Sequence, residues 1–193
     1  TVTIKNSCSN DLRVYKLDIG QGGAKASQDF SPGSSVDYKV DSKWADRFWG
    51  CRQGEANCDQ YGPAVSLTEV LFKGYANADV YISFVKGFNI PMSINPDGKP
   101  GHCYNCGVTT CSTLPSCPNE LQGDKGACKS ECNTFDTDDY CCTEGYNDPK
   151  ICKASQYADK FKSGCPDAYS YAYDDAKSTF GCKATKYTVT FCP

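Results

Sequence analysis

The chain has 193 residues, a formal charge of −3, a single histidine and fifteen cysteines. The acidic balance argues against nucleic-acid binding and against a strongly cationic membrane disruptor, and no apolar run approaches the roughly eighteen residues that span a bilayer. A chain this long buries a core without covalent help, so the cysteine density marks an oxidising compartment: a secreted, extracellular protein, any leader already removed.

The first predicted element is a strand through Val2 and Ile4. A turn around Cys8–Asn10 leads into a second strand marked by Leu12, Val14 and Leu17. Gly20-Gln21-Gly22-Gly23 reads as a hairpin or loop and Pro32-Gly33 as a turn, after which Val36, Tyr38 and Val40 alternate again. Val80–Val85 is β-branched and aromatic, and Tyr187–Phe191 is a strand by composition and alternation. Short strands separated by turn signals predict a mainly β fold, a sandwich or a barrel.

Residues 112 to 165 break that pattern. Nine cysteines fall between 103 and 152, interleaved with Gly, Asp, Asn and Pro, which predicts a loop-rich subdomain stapled by bridges. One helix is expected there, capped by Ser155, with Tyr157 and Phe161 on one face and Asp159, Lys160 and Lys162 outward. Asp136, Asp138, Asp139, Glu144 and Asp148 form an acidic patch followed by Lys150 and Lys153, a solvated surface. Asn6-Ser7-Cys8 and Asn133-Thr134-Phe135 both fail as glycosylation sequons.

Little in the chain carries cofactor chemistry. Cys103-x-x-Cys106 adjoins His102, but no second pair completes a zinc site, so no metal is expected. One histidine does not make a convincing catalytic triad, and no Gly-rich phosphate loop is present; no cofactor is expected.

Five ordered segments carry a resemblance. Arg47-Phe48-Trp49-Gly50, Gly87-Phe88-Asn89-Ile90-Pro91-Met92, Tyr140-Cys141-Cys142-Thr143, Cys165-Pro166-Asp167-Ala168-Tyr169-Ser170-Tyr171-Ala172 and Tyr187-Thr188-Val189-Thr190-Phe191-Cys192-Pro193 are similar to the thaumatin-like family, nearly end to end. The resemblance implies a β-sandwich core (1–48, 66–111 and 166–193), a small disulfide loop (49–65) and a disulfide-rich subdomain with a short helix (112–165). A cleft would lie between sandwich and disulfide-rich region. It implies the bridges Cys8–Cys192, Cys51–Cys58, Cys106–Cys182, Cys111–Cys165, Cys117–Cys128, Cys132–Cys141 and Cys142–Cys152; spacing alone does not choose among connectivities. Cys8–Cys192 would contribute about 4–5 kcal/mol by loop-closure entropy. Cys103 is left over, as an inert thiol, a swap partner for Cys106, or a link making a dimer of an otherwise monomeric protein. One further bridge of the family is missing, which shortens the small loop around Gly54–Pro63.

Many members of that family carry an acidic cleft of one arginine, one glutamate and three aspartates, tied to binding and in some members slow hydrolysis of β-1,3-glucan. The arginine falls on Arg47, the glutamate on Glu69 and one aspartate on Asp175; the other two positions hold Tyr81 and Lys86. Glycoside hydrolysis needs two carboxyl groups, about 5–5.5 Å apart for retention and 6.5–9.5 Å for inversion. Glu69 is the candidate proton donor, with Asp175 or Asp79 as partner, since Asp79 lies two strand positions before Tyr81. A Lys86 ammonium nearby would hold Glu69 ionised, the wrong direction for a general acid. Tyr81 in place of a carboxylate offers a stacking surface for a pyranose; Tyr169, Tyr171 and Tyr187 read as core residues. Arg47, Glu69 and Asp175 would equally serve as an ion-pair network ordering three segments.

The expected function is binding of cell-wall β-1,3-glucan in a defence, antifungal or wall-remodelling role. A weak endo-β-1,3-glucanase is the second expectation, and a protein-binding module, such as an inhibitor of a foreign hydrolase, the third.

Overall fold

A computed structural model describes residues 1–18, 25–60, 64–73, 77–100 and 106–193. The Gly20–Gly23 turn, His102 and the Cys103 thiol lie outside the described residues. The expectation of a mainly β fold holds. In chain order the strands are β1 (Val2–Asn6), β2 (Leu12–Asp18), β3 (Lys25–Phe30), β4 (Ser35–Tyr38), β5 (Ala45–Arg52), β6 (Leu67–Phe72) and β7 (Asn77–Ser83). There follow β8 (Gly87–Phe88), β9 (Met92–Pro96), β10 (Lys99–Pro100), β11 (Thr109–Cys111), β12 (Cys128–Lys129), β13 (Phe180–Lys183) and β14 (Tyr187–Phe191). Among the described residues the α-helices are α1 (Glu131–Phe135), α2 (Asp138–Cys141), α3 (Gln156–Gly164) and α4 (Asp175–Ser178).

Two sheets face each other. One runs β11-β9-β14-β1-β4, the other β10-β13-β7-β6-β5-β2-β3, and β8 pairs with β12 as a separate ribbon. Among the described strands all pairings are antiparallel except β1 with β14. The core follows from alternation: Val2 and Ile4, Val189 and Phe191, and Met92 and Ile94 meet Val14, Phe48, Val70, Val80 and Ile82 of the opposite sheet, all buried. Side chains one position along point away from this core. On that outer face Trp49, Cys51, Val65 and Leu67 form a second buried cluster with Cys58, where Trp49 stacks on Tyr15 and donates its indole N–H to the Cys58 carbonyl at 2.8 Å.

Disulfides join Cys8–Cys192, Cys51–Cys58, Cys106–Cys182, Cys111–Cys165, Cys117–Cys128, Cys132–Cys141 and Cys142–Cys152. Between β12 and α3 the chain buries little apolar surface of its own, and two of these bridges, Cys132–Cys141 and Cys142–Cys152, hold it.

Several local expectations need correction. The strand placed at Val80–Val85 ends at Ser83, because Phe84 leaves the ladder to donate its N–H to the Tyr169 carbonyl at 2.8 Å. Val40 lies beyond the end of β4. Helix α3 starts at the expected cap, with Ser155 Oγ accepting from the N–H groups of Tyr157 and Ala158, but the disulfide-rich region also contains α1 and α2. Lys162 does not point outward: its ammonium lies 2.9 Å from Asp174 Oδ2 and donates to the Ala168 carbonyl and Ser178 Oγ.

The sandwich meets the disulfide-rich region at Gly87. Its φ of +105° suits glycine, and a Cβ there would sit 2.1 Å from the Cys128 carbonyl oxygen across the β8–β12 ribbon. The neighbouring Lys86 carbonyl accepts from Ala64 N–H at 2.7 Å and from Asn133 Nδ2 at 3.0 Å, joining the small loop, the sandwich and α1.

Candidate functional site

Strand register puts three of the expected residues side by side. Arg47 on β5 is opposite Glu69 on β6, and Glu69 is opposite Tyr81 on β7, all on the outer face. Arg47 Nε lies 3.0 Å from Glu69 Oε1, and the Tyr81 O–H donates to Glu69 Oε2 at 2.5 Å. Glu69 is only 6% exposed, so it needs both partners.

The opposite wall is an irregular segment. Tyr169 attaches to β7 by a backbone bond from its N–H to the Ile82 carbonyl at 2.9 Å, and its ring lies 4.9 Å from that of Tyr81. The Tyr169 O–H donates to Asp175 Oδ1 at 2.9 Å and also contacts Thr179 Oγ1. Asp174 holds the segment in shape by accepting from Ser170 N–H and O–H while pairing with Lys162. A continuous series of contacts thus links Arg47, Glu69, Tyr81, Tyr169 and Asp175.

Between these walls is a cleft of about 310 Å³. Leu67, Val85 and Ala172 give it apolar surface, Tyr81 and Tyr169 aromatic surface, and Glu69, Ser83, Lys86 and Asp175 polar groups. Burial first, and then the charge of Glu69, push the Tyr81 phenol well above its ordinary value. Burial also raises Tyr169, with Asp175 adding to the effect. Both phenols therefore remain O–H donors, fixed toward carboxylates.

Not every candidate reaches this cleft. Arg47 acts on Glu69 without lining the space. Asp79 lies opposite Leu71, two positions along β7, and pairs with Lys73; it does not line the cleft. The two carboxylates brought to it are Glu69 and Asp175, from opposite walls. Tyr169 reads as a core residue and is buried, at 7% exposed, but it also forms a cleft wall that the sequence does not announce. No periodicity marks it, because it arrives on a segment without regular structure.

The arrangement suits binding better than proton transfer. A leaving oxygen approaching Glu69 meets a carboxylate whose Oε1 is held by a guanidinium and whose Oε2 is held by a phenol. A pyranose meets two tyrosine rings beside a few fixed hydrogen-bonding groups, the usual make-up of a small-molecule site.

Comparison with known proteins agrees with the fold. A pathogenesis-related thaumatin-like protein 3.5 from Cryptomeria japonica is 41% identical, over 99% of this chain and 89% of its own. A glucan endo-1,3-beta-glucosidase from Prunus avium is 33% identical, over 100% of this chain and 90% of its own. The solved structure of the thaumatin-like xylanase inhibitor TLXI superposes with a TM-score of 0.51 at 16% identity, covering 100% of this chain and 99% of that one; at this identity the likeness concerns fold alone. The thaumatin family model matches residues 6–193. With that match over residues 6–193, on a two-sheet sandwich with seven disulfides among the described residues, the chain belongs to the thaumatin family.

Proposed function

We propose that the cleft binds a β-linked cell-wall glucan, with β-1,3-glucan the first candidate, and that it does not hydrolyse it appreciably. The observation that carries this reading is Tyr81, which stands where a carboxylate is expected, donates to Glu69 and packs against Tyr169. An aromatic surface replaces a charge, and the remaining glutamate is engaged on both oxygens. The role is defence in the extracellular space, a reading supported by the name of the Cryptomeria japonica relative and by the density of disulfides.

The second reading is weak endo-β-1,3-glucanase activity, favoured by the name of the Prunus avium relative. Retention on insoluble β-1,3-glucan, measured beside release of reducing ends from a soluble one, separates the two. Retention of the native protein, weakened about tenfold in Tyr81→Ala and without reducing-end release, supports binding. Reducing-end release that vanishes in Glu69→Gln would replace binding with hydrolysis. No retention, together with capture of a foreign hydrolase through an exposed loop, would move the assignment to a protein-binding module.

A further inference from the structure

A second cavity lies against the same stretch of chain. The segment from Tyr169 to Asp175 gives Tyr169, Ala172 and Asp175 to the cleft, while its Tyr171 lines a separate cavity of about 170 Å³ in the disulfide-rich region. Tyr140 and Tyr146 supply further walls, together with the Cys142–Cys152 bridge.

Glu131, the first residue of α1, also lines this cavity and is 3% exposed. Its Oε1 accepts from the Ser155 O–H at 2.7 Å, and the same Ser155 Oγ caps α3. Its Oε2 is buried and has no hydrogen-bond partner among the described residues. A buried carboxyl oxygen without a partner is costly, so the site calls for a ligand group to meet it. The charged groups at the rim are already engaged: Asp139 Oδ1 accepts from the Thr137 O–H, and Lys153 Nζ donates to the Pro149 carbonyl.

The chemistry selects a hydroxyl. Burial raises the Glu131 carboxyl above its ordinary value, so the group offers either an acceptor or an O–H, and a hydroxyl complements both. An ammonium complements only the carboxylate and would approach past the Lys153 cation. The cavity is smaller than the ~300–1,000 Å³ of drug-sized sites and larger than the ~30 Å³ share of one water, a scale that fits one sugar ring.

We propose that this cavity is a second carbohydrate site, taking one pyranose with a ring hydroxyl on Glu131 Oε2 and an apolar face against the tyrosine wall. It requires no binding in the cleft, although the shared segment would let one polysaccharide chain or two engage both.

The test is an NMR titration of the full chain with a β-1,3-linked glucose trisaccharide, following backbone amides. Two sets of shifts are expected, one around Glu69, Tyr81, Lys86 and Tyr169, the other around Glu131, Tyr140, Tyr146 and Tyr171. Tyr81→Ala should remove the first set and leave the second. Tyr146→Ala, at a residue 41% exposed and so tolerant of change, should weaken the second set about threefold to tenfold and leave the first. A first set alone overturns the second site and leaves the cleft reading standing; this is also the result if the cavity holds water only. A second set alone supports the new site and overturns the cleft. Silence in both overturns both, and a second set untouched by Tyr146→Ala overturns the tyrosine wall.

Discussion

The sandwich and the disulfide-rich region reach a fixed shape by opposite routes. In the sandwich, alternating side chains bury Val2, Ile4, Phe48, Val70, Val80 and Val189 completely, and the hydrogen-bonded ladders follow from that burial. In the other region α1 and α2 have five and four residues, far below the ~12–15 at which isolated helices become even marginal. There Cys132–Cys141 and Cys142–Cys152 stand in for a core. The cleft needs both: one wall is ladder, and the other is a loop fastened by Lys162 of α3.

The comparison breaks most completely at the seam. Gly87→Val places side-chain atoms where the Cys128 carbonyl lies and forces a β-branched residue to positive φ, and should cost about 4 kcal/mol or prevent folding. Urea unfolding monitored by tryptophan fluorescence reports it, and a loss below 1 kcal/mol would mean the two regions meet elsewhere.

Lys162→Met comes next. It leaves Asp174 buried without its cation, which should cost about 3 kcal/mol and loosen the Tyr169 wall. Glucan retention should fall with stability in this variant; retention unchanged at lowered stability would separate the wall from binding.

Removing Cys142–Cys152 by paired alanine substitution sharpens the contrast. The loop-closure estimate for so short a separation is about 2.5 kcal/mol, and the loss should be local. Hydrogen exchange should accelerate in residues 131–152 while β1, β14 and β7 keep their protection. Uniform acceleration would make the two regions one cooperative unit.

The smallest effect belongs to the sandwich alone. Asp46, on the inner face and fully buried, pairs with Lys16 at 3.1 Å, and burial pushes its carboxyl up to about 6. Between the unfolded value near 4 and about 6, the folded chain binds more protons than the unfolded one. Stability from this group is therefore full below pH 4 and lost as pH rises through 6, by on the order of 2 kcal/mol. Denaturant midpoints at pH 4 and 7 should differ less in Asp46→Asn than in the native protein; an equal difference would refute the assignment.

These routes also explain what could be read from the chain alone. The β1, β2 and β14 strands show in alternation because each has a wet or irregular side and a dry side. Resemblance points to Arg47, Glu69 and Asp175, and strand register brings the first two together. Lys162 reads as outward because a lysine on a short helix ordinarily faces water, while its partner Asp174 arrives from a later loop. The α1 and α2 helices left no signal, since bridges replace the apolar stripe by which helices are recognised. Glu131 shows the same limit: nothing around it in sequence tells that its carboxyl is buried against Ser155.

The parallel pairing of β14 with β1 bears on biosynthesis. In its sheet β14 lies between β1 and β9, so during synthesis the β1–β4 pair and the β9–β11 pair wait with open edges until the last strand arrives. Cys8 is made 184 residues before its partner, with other cysteines between the two, so it meets other thiols first. Early pairings of Cys8 then have to be exchanged, and the yield of recombinant protein should rise when a disulfide isomerase is present.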